Sequence, residues 1–398
     1  MLDSCSESKG ETTSYVGARM RILQLIEDGA NASIPGNLTW RRNLCEPLLE
    51  AGHDVVLMST SEGRSAMQSG RAADRCRFSE RVSAVFRREQ TRRPFDLAFC
   101  YLMDGMIEPA VIDEIRTDGV PAVNFSCNNV HQFDLVEGLS PHFDLNLHSE
   151  RDVGEKFRAI GATAMWWPMA SNPRYFHPVD VAEEIDVSFV GAAYGRRPYY
   201  VAGLLDAGID AHAYGPGWAI PGPWRRSKRR AKLYAARTRA GLSLERETRR
   251  GANAQADDIE LHLRATALYP SNLHGPVDDD ELVRLYSSSR ISLGVLEVYD
   301  RHDARYGIVK HVHLREFEAP MSGACYCTQF SDELAESFEP GVEMIMWSAM
   351  DDLVEKVHYY LAHPDDARRI RNAGRKRALR CHTYQQRFST LFAELALS

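Results

Sequence analysis

The chain has 398 residues, of which 44% are hydrophobic and 26% are charged, and its formal net charge is −7. This length exceeds what one hydrophobic core usually supports, so two globular domains are expected. The acidic balance argues against a nucleic-acid partner, and no apolar run is long enough to predict a transmembrane helix. Residues 1–19 are polar, lack the apolar core of a signal peptide and are predicted to be disordered, so a cytoplasmic location is expected.

Strand-like apolar runs alternate with helical segments from Met20 onward, which is typical of a parallel sheet covered by helices. The predicted elements of this part are strands at residues 20–26, 54–60, 95–102, 120–127 and 143–149, with helices near 39–51 and 109–117. Residues 163–179 contain three prolines and are predicted to be a linker. An N-terminal Rossmann-like domain is therefore predicted over residues 20–176.

The same alternation restarts after the linker and predicts a second Rossmann-like domain over residues 177–382. Its predicted elements are strands near 186–190, 210–218, 267–275, 291–297 and 324–328, with helices at 198–208 and 279–288. Residues 225–250 depart from this pattern, with eleven Lys or Arg against two Glu, inside a predicted helical insertion over about 218–260. The insertion either meets an anionic surface, such as membrane lipid or a phosphate-bearing acceptor, or is a solvated hairpin.

No pattern in the sequence predicts a metal site. The eight cysteines include no CxxC pair, and Cys325 and Cys327 flank one residue of a predicted strand, which is the wrong geometry for structural zinc. The acidic run Asp278–Glu281 opens a predicted helix, so it is expected to cap that helix. Reduced cysteines and metal independence are therefore expected.

The segment at residues 311–328 carries the most informative motif. Glu318 opens an apolar run that turns at Gly323 into a predicted strand. A glutamate at the mouth of a buried helix-to-strand unit either interacts with the helix dipole or holds a ligand. The motif R-x-F-E-A-P-x-x-G comprises Arg315, Phe317, Glu318, Ala319, Pro320 and Gly323.

This motif resembles the donor-site motif of retaining, family-four GT-B glycosyltransferases and, more closely, that of the spore-maturation (CgeB-like) group. The resemblance extends upstream over residues 274–295 and downstream over residues 351–388. It implies an α/β protein of GT-B architecture, in which two Rossmann-like domains face a cleft. It also implies that a C-terminal helix at about 383–398 packs back onto the first domain. The implied activity is a metal-independent, retaining transfer of a sugar to an unknown acceptor. The donor is a nucleotide-diphosphate sugar, which acts as a co-substrate, and no other cofactor is expected.

The resemblance and the residue chemistry together predict a donor site on the second domain. Glu318 can accept both vicinal hydroxyls of a ribose. The family-four motif has a second glutamate where this chain has Lys310, which is expected to bind phosphate as a catalytic residue. His313 is either a neighbour of the donor or a core histidine, and Arg315 belongs to the same site. A turn after a predicted strand adds Gly191, Arg196 and Arg197 for the diphosphate, and Gly275 lies where the base is expected.

The first domain is predicted to bind the acceptor, at loops that follow its strands. Gly36 and Asn37 lie in the first such loop, and Gly36 allows a close approach of the backbone. A second loop carries Asn128, Asn129 and His131. His131 and Asn129 are candidate catalytic residues: His131 as a base or hydrogen-bond partner near the reacting carbon, and Asn129, like Asn128, as a residue that holds a sugar hydroxyl. The alternative is an ordinary turn rich in Asn.

Three other functions stay open on the sequence. A nucleotide-sugar epimerase of the same fold would need a pair of acid and base carboxylates. A catalytically silent protein would bind sugar nucleotides or glycans without transfer. A membrane-surface scaffold acting through residues 225–250 would bind lipid in a salt-dependent way.

Overall fold

A computed structural model describes residues 19–29, 38–219, 223–243, 246–299 and 307–397. The chain forms two compact units, one comprising Met1–Asn172 with Arg380–Ser398 and the other Pro173–Leu379. These divisions lie a few residues from the predicted boundaries after residues 176 and 382. The predicted disorder of residues 1–19 concerns residues that, apart from Arg19, lie outside the described part of the chain.

The first unit is built on a sheet of six parallel strands in the order β2-β1-β3-β4-β5-β6. The strands are β1 (Arg21–Ile26), β2 (Asp54–Ser59), β3 (Leu97–Cys100), β4 (Ala122–Ser126), β5 (Leu145–His148) and β6 (Ala164–Trp166). Every residue of β1, β3, β4 and β5 is buried, as expected for a parallel sheet covered on both faces. The prediction of a linker over 163–179 was partly wrong, because β6 forms the edge of this sheet.

Helices cover both faces of this sheet. They are α1 (Glu46–Glu50), α2 (Ser61–Ser69), α3 (Ala72–Arg92), α4 (Pro109–Thr117), α5 (Asn129–Gln132) and α6 (Gly154–Ala159), with a π-helical turn at Arg41–Cys45. The long helix α3 buries Phe78, Val82 and Phe86 against the sheet in one apolar cluster. Its buried positions recur at helical spacing, which explains why a segment this rich in charge still packs as an amphipathic helix.

The second unit repeats the plan, with six parallel strands in the order β14-β13-β10-β7-β8-β9. The strands of this unit are β7 (Ile185–Val190), β8 (Ala211–Tyr214), β9 (Leu273–His274), β10 (Ser289–Leu293), β13 (Tyr326–Gln329) and β14 (Ile345–Trp347), with an antiparallel pair β11 (Glu297–Tyr299) and β12 (Ile308–Lys310). The strand predicted over 267–275 is only two residues long, because the preceding helix continues to Leu268.

The helices of the second unit include a hairpin between β8 and β9. They are α7 (Arg197–Asp206), α8 (Pro223–Leu242), α9 (Arg246–Leu268), α10 (Asp279–Ser288), α11 (Arg315–Met321), α12 (Asp332–Ser337), α13 (Met350–Ala362) and α14 (Pro364–Cys381). The predicted capping role of the acidic run is confirmed, because the Asp278 carboxylate accepts the backbone N–H of Glu281 at 2.8 Å. The predicted insertion is the hairpin of α8 and α9.

The last helix, α15 (Tyr384–Glu394), belongs to the first unit. Thr383 and Gln386 form a capping box at its start. The ring of Trp167 packs against Phe388 at a centroid distance of 5.5 Å, and its indole N–H donates to the carbonyl of Arg387 at 2.9 Å. Through these contacts the final helix packs against the segment that follows β6. Of the described cysteines, none forms a disulfide.

Candidate functional site

The carboxyl ends of β7, β10 and β13 meet at one edge of the second sheet, where α/β proteins place ligands. The backbone N–H of His311 donates to the carbonyl of Leu296 at 3.0 Å, so the chain that leaves β12 runs beside the end of β10. Helix α11 begins four residues after His311, at Arg315. The motif Arg315–Gly323 therefore begins beside the carboxyl ends of these strands, and this edge of the sheet is named the ligand edge.

Glu318 is a buried carboxylate without a protein partner. It is 5% exposed, and among the described residues no cation or hydrogen-bond donor reaches its side-chain oxygens. Burial raises the pKa of Glu318 to about 8; Arg315 opposes this shift, and Asp279 and Glu316 add to it. A group that is removed from water and left unpaired is costly to the fold unless a ligand satisfies it.

Arg315 supplies a positive charge beside this carboxylate. Its guanidinium carbon would lie 3.3 Å from a Cβ added to Gly191, so it faces the backbone of the turn after β7. Burial alone would lower the pKa of Arg315, but Tyr286, Tyr326 and the nearby glutamates outweigh burial and raise it. Within the described part of the chain no carboxylate forms an ion pair with Arg315, so its charge is available to an anion.

Arg197 is a second arginine without a carboxylate partner among the described residues. It is 2% exposed at the start of α7, where Nη1 donates to the Ala192 carbonyl at 3.1 Å and the guanidinium lies 4.1 Å from the Tyr194 ring centroid. Burial, together with the charge of Arg315, lowers the pKa of Arg197 to about 10, while Tyr194 and Glu316 oppose the shift. Two arginines that repel each other at one buried edge are well placed to bind a diphosphate.

Arg196 has a different environment from its neighbour. Its guanidinium forms ion pairs with Asp258 at 3.2 Å and with Glu297 at 3.6 Å. Tyr299 also donates to Asp258. The charge of Arg196 is therefore balanced within the protein, whereas that of Arg197 is not.

His313 links Arg197 to a buried carboxylate. Its Nε2 lies 3.2 Å from Nη2 of Arg197, which can only donate, so Nε2 is the acceptor and the ring proton is on Nδ1. Nδ1 lies 3.7 Å from Glu316, whose carboxylate also accepts the His313 backbone N–H at 2.7 Å and the Tyr326 hydroxyl at 3.0 Å. Sequence reasoning missed Glu316, although it lies two residues from Glu318 in a run that is buried.

Gln329 positions the loop after β10 and was also missed. Its Oε1 accepts the backbone N–H groups of Leu296 at 2.8 Å and Glu297 at 2.9 Å. Its Nε2 donates to the Tyr200 hydroxyl at 3.0 Å, and that hydroxyl donates to Glu297 at 2.9 Å. No local motif reveals this role, because its partners come from the segment that leads from β10 into β11 and from α7.

Glycines bring the backbones of neighbouring loops together. A Cβ on Gly215 would overlap the carbonyl of Gly191, and one on Gly294 would overlap Thr328. Gly215 also donates its N–H to the Gly275 carbonyl at 2.9 Å, while the space around a Cβ on Gly275 is open. Gly191 and Gly275, both predicted site residues, therefore each contact the loop that contains Gly215.

Lys310 is exposed at the end of β12, and its ammonium group donates to the Phe330 carbonyl.

The predicted residues of the first unit lie in the turn after β4. Asn128 adopts the left-handed conformation, with φ of 66°. Asn129 is fully buried; its amide donates to Ser126 at 2.9 Å and its backbone N–H donates to Glu150 at 3.1 Å. Half-buried His131 lies in α5. Gly36 and Asn37 lie outside the described residues.

The described part of the chain contains no cluster of three or more His, Cys, Asp or Glu able to hold a metal ion. It also contains no helix that is both long and apolar enough to cross a membrane.

Residues 249–393 match a family model described as glycosyl transferase-like. The chain is similar to the solved structure of sucrose-phosphate synthase from Thermosynechococcus elongatus, with 13% identity, a TM-score of 0.60, and coverage of 94% of this chain and 99% of that one. It is also similar to Anabaena Alr3699/HepE in complex with UDP and glucose, with 12% identity, a TM-score of 0.55, and coverage of 95% and 100%. A comparison with curated protein sequences finds no match.

The chain has the GT-B fold, and its residues 249–393 are glycosyl transferase-like. The structural similarities show the fold, and the family match supports an enzyme. The predicted α/β class with two Rossmann-like domains is thus confirmed, as is the prediction of an enzyme. The family match includes Arg315, Glu316 and Glu318 but begins after α8, so Arg197 and the basic helix α8 lie outside it.

Proposed function

We propose that this chain is a glycosyltransferase that takes its sugar from a nucleotide-diphosphate sugar held at the ligand edge of the second unit. The observation that carries the proposal is the combination of one buried carboxylate, Glu318, with two arginines, Arg197 and Arg315, all three without an ion-pair partner among the described residues. A nucleoside diphosphate complements this set, because ribose hydroxyls donate to a carboxylate and phosphate oxygens accept from guanidinium groups.

We further propose uridine as the base and a metal-independent, retaining transfer. The solved structure of HepE contains UDP and glucose, which supports a UDP-sugar as the first donor to test here. Arg197 and Arg315 stabilise the leaving diphosphate as its negative charge increases. Retention and membership of the CgeB-like or family-four group rest on the motif Arg315–Gly323. The acceptor is bound on the first unit, where His131, Asn128 and Asn129 lie.

The donor proposal is tested by thermal unfolding with UDP, GDP, TDP and CMP sugars. A ligand present at about 100 times its Kd stabilises the folded protein by roughly 2.7 kcal/mol. We expect one nucleotide to raise the Tm of the wild type and of a Tyr234→Ala control on the exposed face of α8, but not that of Glu318→Ala. No shift with any nucleotide would contradict the donor site.

Metal independence and stereochemistry need separate measurements. Transfer should persist after exhaustive treatment with EDTA, and loss of activity that Mg²⁺ or Mn²⁺ restores would refute metal independence. The configuration at the anomeric carbon, read by proton NMR from the first turnovers, should match that of the donor. An inverted product would exclude the retaining proposal while leaving the donor site intact.

A further inference from the structure

The hairpin of α8 and α9 is attached to the second unit through α9. Ala265 of α9 belongs to the apolar core of this unit, and Asp258 forms an ion pair with Arg196, at the start of α7, at 3.2 Å. The ring of Trp218 packs edge-on against His262 of α9 at 5.4 Å. Helix α8 packs against α9 and contributes no described residue to that core. It therefore forms the outer layer of the hairpin.

The contacts of α8 show which of its sides faces the hairpin. Among its described side chains, those that are buried are Ala236 and Ala240. Arg237, which lies between them in sequence, forms ion pairs with Asp257 and Glu260 of α9, each at 2.8 Å. This side of the helix is thus occupied by α9, and the opposite side faces away from the rest of the second unit.

The opposite side of α8 carries a strip of exposed residues without charge. Tyr234 and Leu242 are 76% and 78% exposed, more than any other large apolar side chain in the described part of the chain. Together with Ala235 and Thr238 they line a shallow groove, and Ala231, one turn earlier, is also exposed. Their spacing of three and four residues places all five on one face of the helix, here named the outer strip. An exposed apolar strip with polar edges is typical of an interaction surface.

Basic residues lie along both edges of the outer strip. Successive residues of a helix are about 100° apart, which places Arg226 and Arg230 along one edge and Lys232 along the other. All three are exposed, and within the described part of the chain none of them forms an ion pair with a carboxylate. The whole of α8 contains eight Lys or Arg and no Asp or Glu. The edges of the strip are therefore positively charged in a chain whose formal net charge is −7.

We propose that this face of α8 binds the surface of a membrane that contains anionic phospholipid. The lipid phosphates complement the basic edges, and the apolar layer beneath them accepts Tyr234 and Leu242. Tyrosine is typical of that boundary, because its ring is apolar and its hydroxyl is polar. A nucleic acid supplies phosphates for the edges but no apolar layer for Leu242. The helix lies in the plane of the interface with α9 behind it, and this surface does not depend on the proposed donor site.

The test measures co-sedimentation of the full chain with phosphatidylcholine vesicles that contain or lack phosphatidylglycerol. We expect binding only where phosphatidylglycerol is present, and about tenfold or more weaker binding in about 1 M salt than in about 0.1 M, because the Debye length falls from roughly 10 Å to 3 Å. Two double variants separate the two parts of the surface. Tyr234→Ser with Leu242→Ser removes the apolar contacts, and Arg230→Gln with Lys232→Gln removes one charge from each edge. Each should weaken binding by about tenfold or more.

Matched controls come from other helices of the same unit. Leu268→Ser changes an apolar side chain at the end of α9 that is 58% exposed. Arg368→Gln with Lys376→Gln removes two positive charges from exposed positions of α14. Neither control should change vesicle binding, and all the variants should keep the Tm of the wild type, because only exposed side chains are altered.

Three results would overturn the membrane surface. The first is no binding to vesicles that contain phosphatidylglycerol, and the second is binding that the controls weaken as much as the α8 variants do. The third is binding that depends on the basic edges but not on the outer strip, together with equal binding to poly(U) RNA. That result would assign α8 to a general polyanion surface. Failure of every nucleotide to bind would leave the membrane surface in place, because no residue of the donor site takes part in it.

Discussion

The guanidinium of Arg197 donates to Nε2 of His313 at 3.2 Å, which holds a buried cation in place without neutralising it. Glu316 lies on the other side of the imidazole, 3.7 Å from Nδ1, so it stabilises the charge of Arg197 from a distance and forms no direct ion pair with it. A direct ion pair would have competed with an incoming anion. Holding the arginine through a neutral ring keeps its charge available to a phosphate.

Substitution of the two adjacent arginines should separate binding from stability. Arg197→Gln is expected to weaken UDP binding by about tenfold or more, because a charge-assisted contact to phosphate is lost. Arg196→Gln should leave UDP affinity nearly unchanged but lower the free energy of unfolding by roughly 1–3 kcal/mol, since Asp258 loses its cation. Calorimetric titration and urea unfolding of both variants measure the two effects. Equal losses of UDP affinity in the two variants would show that Arg196 contributes as much as Arg197, which contradicts the assignment of only Arg197 of this pair to the diphosphate.

The ionisation of Glu318 should make the stability of the unliganded protein depend on pH. Its folded pKa, about 8, is raised above the ordinary value of 4.5, so its contribution is complete at low pH and is lost as pH rises through 8. Glu318→Gln removes this loss, and we expect it to stabilise the unliganded protein at pH 9 by an amount on the order of 3 kcal/mol. Urea unfolding at pH 5, 7 and 9 measures the difference.

The control for this prediction is Glu316→Gln, whose carboxylate is already hydrogen-bonded by His313 and Tyr326. Burial also raises the pKa of Glu316, but Arg315 and the hydrogen bonds from His313 and Tyr326 oppose that shift, so Glu316→Gln should gain less stability at pH 9 than Glu318→Gln. A difference between wild type and Glu318→Gln that does not change from pH 5 to pH 9 would show that the Glu318 pKa is not raised.

The affinity for UDP should follow the same ionisation in the opposite direction. Ribose hydroxyls donate to the ionised carboxylate, so binding at pH 7 must release a proton from Glu318. We therefore expect UDP affinity to increase as pH rises from 7 to 9, and the measured binding enthalpy at pH 7 to vary with the ionisation enthalpy of the buffer. Phosphate ionisation is complete over most of this range and is corrected for by the same titration of Glu318→Gln. An identical pH profile of UDP affinity in that variant would show that Glu318 does not bind the ribose.

Sequence reasoning succeeded where the signal is local. The alternation of strands and helices predicted both Rossmann-like units, because a buried parallel strand needs a continuous apolar run. The motif around Glu318 predicted a glutamate in a buried helix-to-strand unit, and the structure buries Glu318 in α11; its contact with a ribose stays a prediction. The helix at Asp279–Ser288 was predicted with its exact bounds, since Asp278 provides a capping signal that is local in sequence.

It failed where the deciding partner is distant along the chain. Gln329 resembles any other strand residue until its contacts with Leu296 and Tyr200 are known. The edge strand β6 was assigned to a linker because prolines follow it, although its three residues pair with β5. Trp218 contacts both His262 of α9 and the Gly191 carbonyl, and the second contact spans 27 positions. Composition alone revealed the charge of α8 but not which of its faces is exposed.

Gln329 should be required for the position of the loop after β10. Gln329→Leu leaves two buried backbone N–H groups, those of Leu296 and Glu297, without their acceptor. We expect a loss of roughly 2–4 kcal/mol in the free energy of unfolding and a higher KM for the donor. Gln329→Glu keeps the acceptor and should recover most of the donor affinity, even where stability is reduced. A normal donor KM in Gln329→Leu would mean that this loop does not shape the site.

The close approach of two loops should depend on the absence of a side chain at Gly215. A Cβ there would overlap the Gly191 carbonyl, which is backbone and cannot rotate away, and φ of 141° is unfavourable for alanine. We expect Gly215→Ala to destabilise the protein by about 2–4 kcal/mol and to weaken UDP binding, because it pushes apart the turns after β7 and β8. Gly275→Ala is the matched control one strand further along the sheet, where the space is open, and it should change stability by less than about 1 kcal/mol. Thermal unfolding with and without UDP measures both quantities. If the two alanine variants behave alike, the contact between Gly215 and Gly191 is not what holds the two turns together.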